Sequence, residues 1–216
     1  MTDYIAVLDH NHLDNGLFLT AFAKSAAAQK GQRGIVIHGE SDYTERLIQT
    51  GIMREEARIR AIKDLNHRLI ALFADEGVAT VGVHGFQRGL ITESNGDLDV
   101  DVSQLRSMPD VPLLLLSNLI QSSGDKPPSP LSLPAYAFLL RDKLDIDEVL
   151  IFSMDDSDEI LDRGSHDELR FSELDTEYKE RVIPPEFRDA GQPFRITTAR
   201  AFSSWPGLQG TTLIRP

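Results

Sequence analysis

Gly34-Ile35-Val36-Ile37-His38-Gly39-Glu40-Ser41 runs five residues of mostly β-branched, apolar character straight into glycine and polar groups. A run that short, closed by turn formers and without polar alternation, reads as a strand buried on both faces, the kind a parallel sheet uses. Downstream, Ser41 or Asp42 is placed to cap a helix over 43–50 that Gly51 ends. Upstream, a second buried strand, Tyr4–Leu8, leads past Asp14 and Asn15, a second capping pair, into a helix over 17–29 with Gly31 as its stop. The first fifty residues therefore alternate strand and helix, which brings consecutive strands together in parallel.

The same alternation continues outward. Ala57, Ala61, Leu65, Leu69, Leu72 and Phe73 recur at helical spacing, predicting a long amphipathic helix over 54–76 closed by Gly77. Strands are expected at 78–83 and 111–116, and a hairpin at 89–92 and 98–102 about Asn95-Gly96. Residues 123–134 carry four prolines and read as a loop, followed by a helix over 135–144 and a strand over 148–153. Asp155-Asp156-Ser157-Asp158 is an acidic turn that lacks the glycine and closing glutamate of a calcium loop. A helix from 176 must stop at Pro184-Pro185, and the last strands are 194–198 and 211–214. The expected fold is α/β, a three-layer α/β/α sandwich around a mostly parallel central sheet, formed by residues 1–216 as one unit. Its ligands should sit at the carboxyl ends of the strands.

Composition narrows the function. The 34 acids against 22 Lys and Arg give a net charge of -12, which opposes nucleic acid and anionic membrane. With 21 Asp but 6 Lys, the surface repels itself at low salt; adaptation to high salt and ordinary acidity both fit. The absence of cysteine removes disulfides, thiol nucleophiles and cysteine zinc sites. No apolar run is long enough to span a bilayer, and the start MTDYIAVLDH has no basic-then-apolar leader, so a cytoplasmic location is expected.

Four collinear stretches resemble the amino-acid kinase superfamily, and within it the acetylglutamate kinases. Val36-Ile37-His38-Gly39 resembles the V-x-H-G that opens the family's phosphate loop. Leu65 to Ile70 followed by Gly77 to Val83 is similar to its long helix entering the next strand. Asp110-Val111-Pro112-Leu113-Leu114 resembles the strand before its nucleotide half, and Gly191 to Ile196 with Gly210-Thr211-Thr212-Leu213-Ile214 its closing segment. The resemblance implies a substrate-side half at 1–110, a nucleotide-side half at 111–216, ATP and Mg as cofactors of an active member, and a homodimer through the helix 54–76.

The family's catalytic signature is altered. Phosphoryl transfer depends on cations and N–H groups that hold the moving charge. Where the family has K-x-G-G, this chain has Val7-Leu8-Asp9-His10; where it has H-G-G-G, His38-Gly39-Glu40-Ser41. Its substrate-clasping N-x-N-x-D falls on Pro130-Leu131-Ser132-Leu133-Pro134, and its substrate-gripping arginine segment is missing, with Arg54 or Arg58 as candidate replacements. Lys179 alone matches a family lysine by spacing, although a surface lysine placed i,i+4 from Asp175 fits as well. The resemblance thus implies an acetylglutamate kinase-like protein that is catalytically impaired and binds a small carboxylate or regulates amino-acid metabolism of the arginine type. The alternative is an active carboxylate kinase using Lys179.

The ligand pocket is expected to comprise Asp9, His10, His38, Gly39, Glu40, Asn66, His84 and Gly85. Because four of the six histidines fall near it, His10, His12, His38 and His84 form a candidate site for a divalent transition metal, with metal storage as a third function. His10-x-His12 would share one face if that segment is extended. Isolated histidines bonded to backbone carbonyls are the plainer reading of the same residues.

Overall fold

The computed structural model describes residues 2–29, 31–124, 126–153, 168–207 and 210–216. The acidic turn at 155–158 lies outside the described residues. The chain opens with β1 (Tyr4–Leu8), a short α1 (His10–Leu13), α2 (Gly16–Ala28), β2 (Gly34–His38), α3 (Tyr43–Gln49), α4 (Arg54–Asp75) and β3 (Thr80–His84). The middle holds β4 (Ile91–Ser94), β5 (Asp97–Val100), α5 (Val102–Arg106), β6 (Leu113–Ser117), β7 (Leu119–Ser122), β8 (Ser129–Pro130) and α6 (Leu133–Leu144). It closes with β9 (Val149–Phe152), β10 (Glu168–Arg170), α7 (Thr176–Val182), β11 (Phe194–Thr197) and β12 (Thr211–Arg215).

The main sheet has eight strands in the order β10-β12-β11-β9-β1-β2-β6-β3. All neighbours pair in parallel except β11 with β12. Strand β1 sits centrally, Tyr4 opposite Gly34 and Leu8 opposite His38 on one side, Ile5 opposite Val149 on the other. Being buried on both faces, β1 and β2 feed two cores by alternation. Ile5, Val7, Ile35 and Ile37 join the cluster under α6, while Tyr4, Ala6, Leu8 and Val36 join the one under α2 and α4. That double burial is why both strands read as continuous apolar runs, and it gives the three expected layers.

Local chemistry sets the ends of the elements. Asn15 Oδ1 accepts from the amides of Leu17 and Phe18 and starts α2. Asn95 (φ 55°) and Gly96 (φ 88°) turn the β4–β5 hairpin as expected. Three features depart from the sequence reading. First, residues 10–13 are helical rather than extended, because the Asp9 carboxylate caps the amide of Asn11. Second, part of the proline-rich loop pairs: β8 bonds β7 in a separate four-stranded sheet, β5-β4-β7-β8, where a proline is tolerated at the edge. Third, the stripe of α4 is spent within the chain. Leu65 and Leu69 are 3% and 1% exposed and pack with Phe22, Phe73, Val36 and Leu115, so they cannot form the face of a dimer. Among the described residues no helix is long and apolar enough to cross a membrane.

Candidate functional site

At the carboxyl ends of β1 and β2 lies a cavity of about 410 Å³, walled by His10, Gly39, Glu40, Arg58, Asn118 and Glu186, with Leu131 to Leu133 at the start of α6. Parallel strands expose their final residues here, and the helices that follow carry their first amides to the same rim.

Glu40 leaves β2 through Gly39 and meets Arg58 from α4, Nε to Oε2 at 3.0 Å. A Cβ on Gly39 would press on the Asn118 amide at 3.3 Å, so the glycine lets the β2 end and the segment after β6 approach closely. Asn118 Nδ2 donates to the Leu131 carbonyl at 2.6 Å, while its amide donates to the His38 carbonyl at 2.9 Å. Glu186, in the turn Pro185–Phe187, accepts from the amide of Leu133 at 3.2 Å and so occupies the first turn of α6 with a carboxylate of this chain. Burial raises its pKa above the usual carboxylate range; the Leu133 amide opposes this, and the charges of Asp9 and Glu40 add to it. Asp9, expected in the pocket, is buried and does not line the cavity, although its charge acts on Glu186.

His38 is a strut at the back of the site. Its Nδ1–H donates to the Gly39 carbonyl at 3.2 Å and its Nε2 accepts from Asn66 Nδ2 at 3.1 Å, which fixes the neutral tautomer. Burial pushes its pKa down to about 4. A side chain on Gly82 would overlap Asn66 Oδ1 and Ile70 Cδ1, so the bare backbone of β3 is what admits Asn66. Asn66 thus acts behind the pocket, through His38, rather than in its wall.

The remaining expected residues scatter. His84 Nδ1 pairs with Ser117 Oγ at 2.8 Å and stacks on Phe86, its pKa also lowered to about 4 by burial and then by Lys63 and His67. A Cβ on Gly85 would lie 2.7 Å from the Leu119 carbonyl, so this glycine serves the packing of β7. Neither lines the cavity. Lys179 holds its ammonium 4.3 Å from the Phe171 ring and is not in the cavity wall either. No ion pair joins it to Asp175, which instead caps α7 through the amide of Tyr178.

The four-histidine metal site does not assemble. The helical turn 10–13 sends His10 outward to Asp42 Oδ1 at 2.8 Å, while His12 turns inward, donates to the Ser153 carbonyl at 3.1 Å and packs at a tilt against the Phe18 ring. With His38 and His84 engaged as above, these imidazoles serve four separate neighbourhoods. Among the described residues the donors that converge are His10, Asp14 and Asp42, within 4.8 Å of one another. His10 has a raised pKa: burial works against the charge, but the Asp42 hydrogen bond and the charges of Asp42, Asp14 and Asp9 outweigh it.

Sequence reasoning missed Glu186 and Asn118. Asn118 had a usable signal, a polar group directly after the apolar run Leu113–Ser117, hence at the carboxyl end of a buried parallel strand. Glu186 had none, since only folding brings residue 186 to residue 133.

No protein-family model and no curated protein matches the sequence. Solved structures do match in fold. N-acetylglutamate synthase from Neisseria gonorrhoeae, in complex with coenzyme A and N-acetyl-glutamate, aligns over 100% of this chain and 59% of its own at 18% identity, TM-score 0.65. Aspartate kinase from Synechocystis aligns over 100% of this chain and 40% of its own, at 11% identity and TM-score 0.65. The isopentenyl phosphate kinase of T. acidophilum, in a product complex, aligns over 99% of this chain and 100% of its own, at 11% identity and TM-score 0.63. The chain therefore has the amino-acid kinase fold and spans about three fifths of the synthase. At these identities the likeness concerns the fold alone.

Proposed function

We propose that this chain is a small-ligand-binding or regulatory subunit of amino-acid metabolism, built on the amino-acid kinase fold and impaired as an acetylglutamate kinase-type phosphotransferase. The observation that carries the reading is the Glu186 carboxylate seated on the first turn of α6, in a cavity wall that also bears Glu40 and within reach of the charge of Asp9. The amide of Leu133 that could receive a phosphate oxygen already has an anionic partner from the chain. Each like-charge contact near 4 Å costs about 1 kcal/mol in water and several in a drier site, and a triphosphate multiplies that cost. Among the described residues of the cavity wall, Arg58 is the only permanent cation, and it is paired with Glu40. Catalysis by positioned cations has little to work with here.

The test is calorimetric titration of the whole chain with ATP and Mg, together with an assay of ADP release in the presence of acetylglutamate. Silence in both is the expected result; saturable binding with turnover would establish the active kinase instead.

The reading includes the homodimer through the helix 54–76, with the outward face of α4 as its contact. Met53, 78% exposed, with Ile59 and Pro127, makes an apolar patch rimmed by Glu55, Arg60, Lys63 and Asp64. Both signs of charge on one rim suit a self-complementary two-fold contact.

A further inference from the structure

We infer that a second cavity, at the amino ends of β2 and β6, binds a small monocarboxylate with an apolar body. It lies at the other end of the sheet from the crevice that Glu40 and Glu186 line, so the inference goes beyond the proposed function and does not depend on it.

Two independent observations lead to it. The first is a gap in the apolar layer. Ile35 of β2, Leu114 of β6 and Val81 of β3 stand opposite one another in one row across the sheet, and so share a face. Helix α6 packs on β1, β2 and β9, and Ile35 is buried in the cluster it covers. Beyond β2 the cover on this face comes from α5, which is five residues long and buries only Leu105. Leu114 is therefore left half-buried, although β6 has a strand on each side. The space above it is a cavity of about 390 Å³ with an apolar wall of Ile35, Leu105, Met108, Val111, Leu114 and Leu144. That is the size of a small-molecule site, and an apolar body laid on Leu114 removes its surface from water.

The second observation is charge. In a chain of net charge -12, this wall holds two arginines, Arg33 and Arg106, against one acid, Asp145. Arg33 is engaged: its Nη1 pairs with Asp110 at 2.9 Å and its Nε donates to the Val111 carbonyl at 3.4 Å. Arg106, exposed in the last turn of α5, makes no side-chain hydrogen bond or ion pair among the described residues. A guanidinium on a long stem that nothing holds is free to swing over the opening, and its fork matches a carboxylate with two parallel N–H···O bonds. Asp145 on the same wall repels a second negative charge, which favours a monocarboxylate over a dicarboxylate or a phosphate.

The experiment titrates the full chain by calorimetry at low ionic strength with 3-phenylpropanoate, with 3-phenylpropanamide, with phenylalanine and with acetate. The phenylpropanoate should bind saturably at one site. Its uncharged amide should bind roughly tenfold more weakly, having lost the charged contact with Arg106. Acetate, which has no apolar body, should show no saturable binding. Phenylalanine adds only an ammonium beside the carboxylate and should bind more weakly than the phenylpropanoate. Arg106→Gln should weaken the phenylpropanoate roughly tenfold, and Leu114→Phe, which fills the cavity, should abolish its binding. Absence of saturable phenylpropanoate binding, equal affinity for the amide, saturable acetate binding, or tighter binding of phenylalanine would each overturn the inference. So would undiminished affinity in either folded variant, since the ligand would then be held elsewhere on the chain. Arg106 is exposed, so Arg106→Gln and the amide comparison decide the matter even if Leu114→Phe fails to fold. Failure here leaves the proposed function standing, whereas nucleotide turnover would refute that function and leave this cavity untouched.

Discussion

His38 should make this protein acid-sensitive, and replacing it should remove that part of the sensitivity. In the folded chain the ring is fully buried and its pKa lies at about 4, against about 6.5 for a histidine in an unfolded chain. The unfolded state therefore binds an extra proton between those two values. Stability is fully present above about pH 6.5, is lost as pH falls through the window, and levels off below about pH 4. Integrating the proton uptake down to about pH 4.5 gives a loss of about 2–3 kcal/mol from this ring, or about 5–10 °C in melting temperature for a chain of this length. His84, also held at about 4, acts in the same direction. The measurement is urea unfolding at neutral pH and at about pH 4.5, for the wild type and for His38→Gln, with acid loss in the wild type exceeding that of the variant by about 2–3 kcal/mol. Other titrating groups cancel in the difference. Equal acid losses in the two proteins, or a His38 ring resonance titrating with a midpoint near 6.5, would refute the assignment of a neutral strut bonded between Gly39 and Asn66.

The pair Arg195–Glu148 gives a second test. Arg195 is nearly buried and donates to both oxygens of Glu148 at 3.1 and 3.3 Å, so Glu148→Gln should cost about 2–3 kcal/mol by calorimetry, and a loss below about 0.5 would deny the pair any role in stability. Leu65→Asp places an unpaired charge in the core under α4 and should unfold the chain, costing more than about 4 kcal/mol; a folded monomer of native stability would contradict the packing described. Met53→Asp combined with Ile59→Asp should leave circular dichroism unchanged while halving the sedimenting mass, and an unaltered mass would exclude the outward face of α4 as the dimer contact.

The order of the layers was legible because buried parallel strands and amphipathic helices have different periods. Tyr4–Leu8 and Gly34–His38 announce themselves by their lack of polar alternation, and Asn95-Gly96 by the backbone geometry its hairpin requires. Short elements were less legible. The turn 10–13 depends on one capping carboxylate, and β8 on a partner strand, so neither has a periodic signal of its own.

Sequence alone also determined that the polar residues directly after the first two apolar runs include Asp9 and Glu40, whatever the fold does with them. It could not say which histidines face one another, because a single capped turn sends His10 and His12 in opposite directions. Nor could it place Glu186 against Leu133, or leave the Asn118 oxygen without a donor among the described residues. Those facts belong to the tertiary structure: periodicity records which face of an element is buried, whereas a site is made by contacts between residues far apart in the chain, which no local pattern encodes.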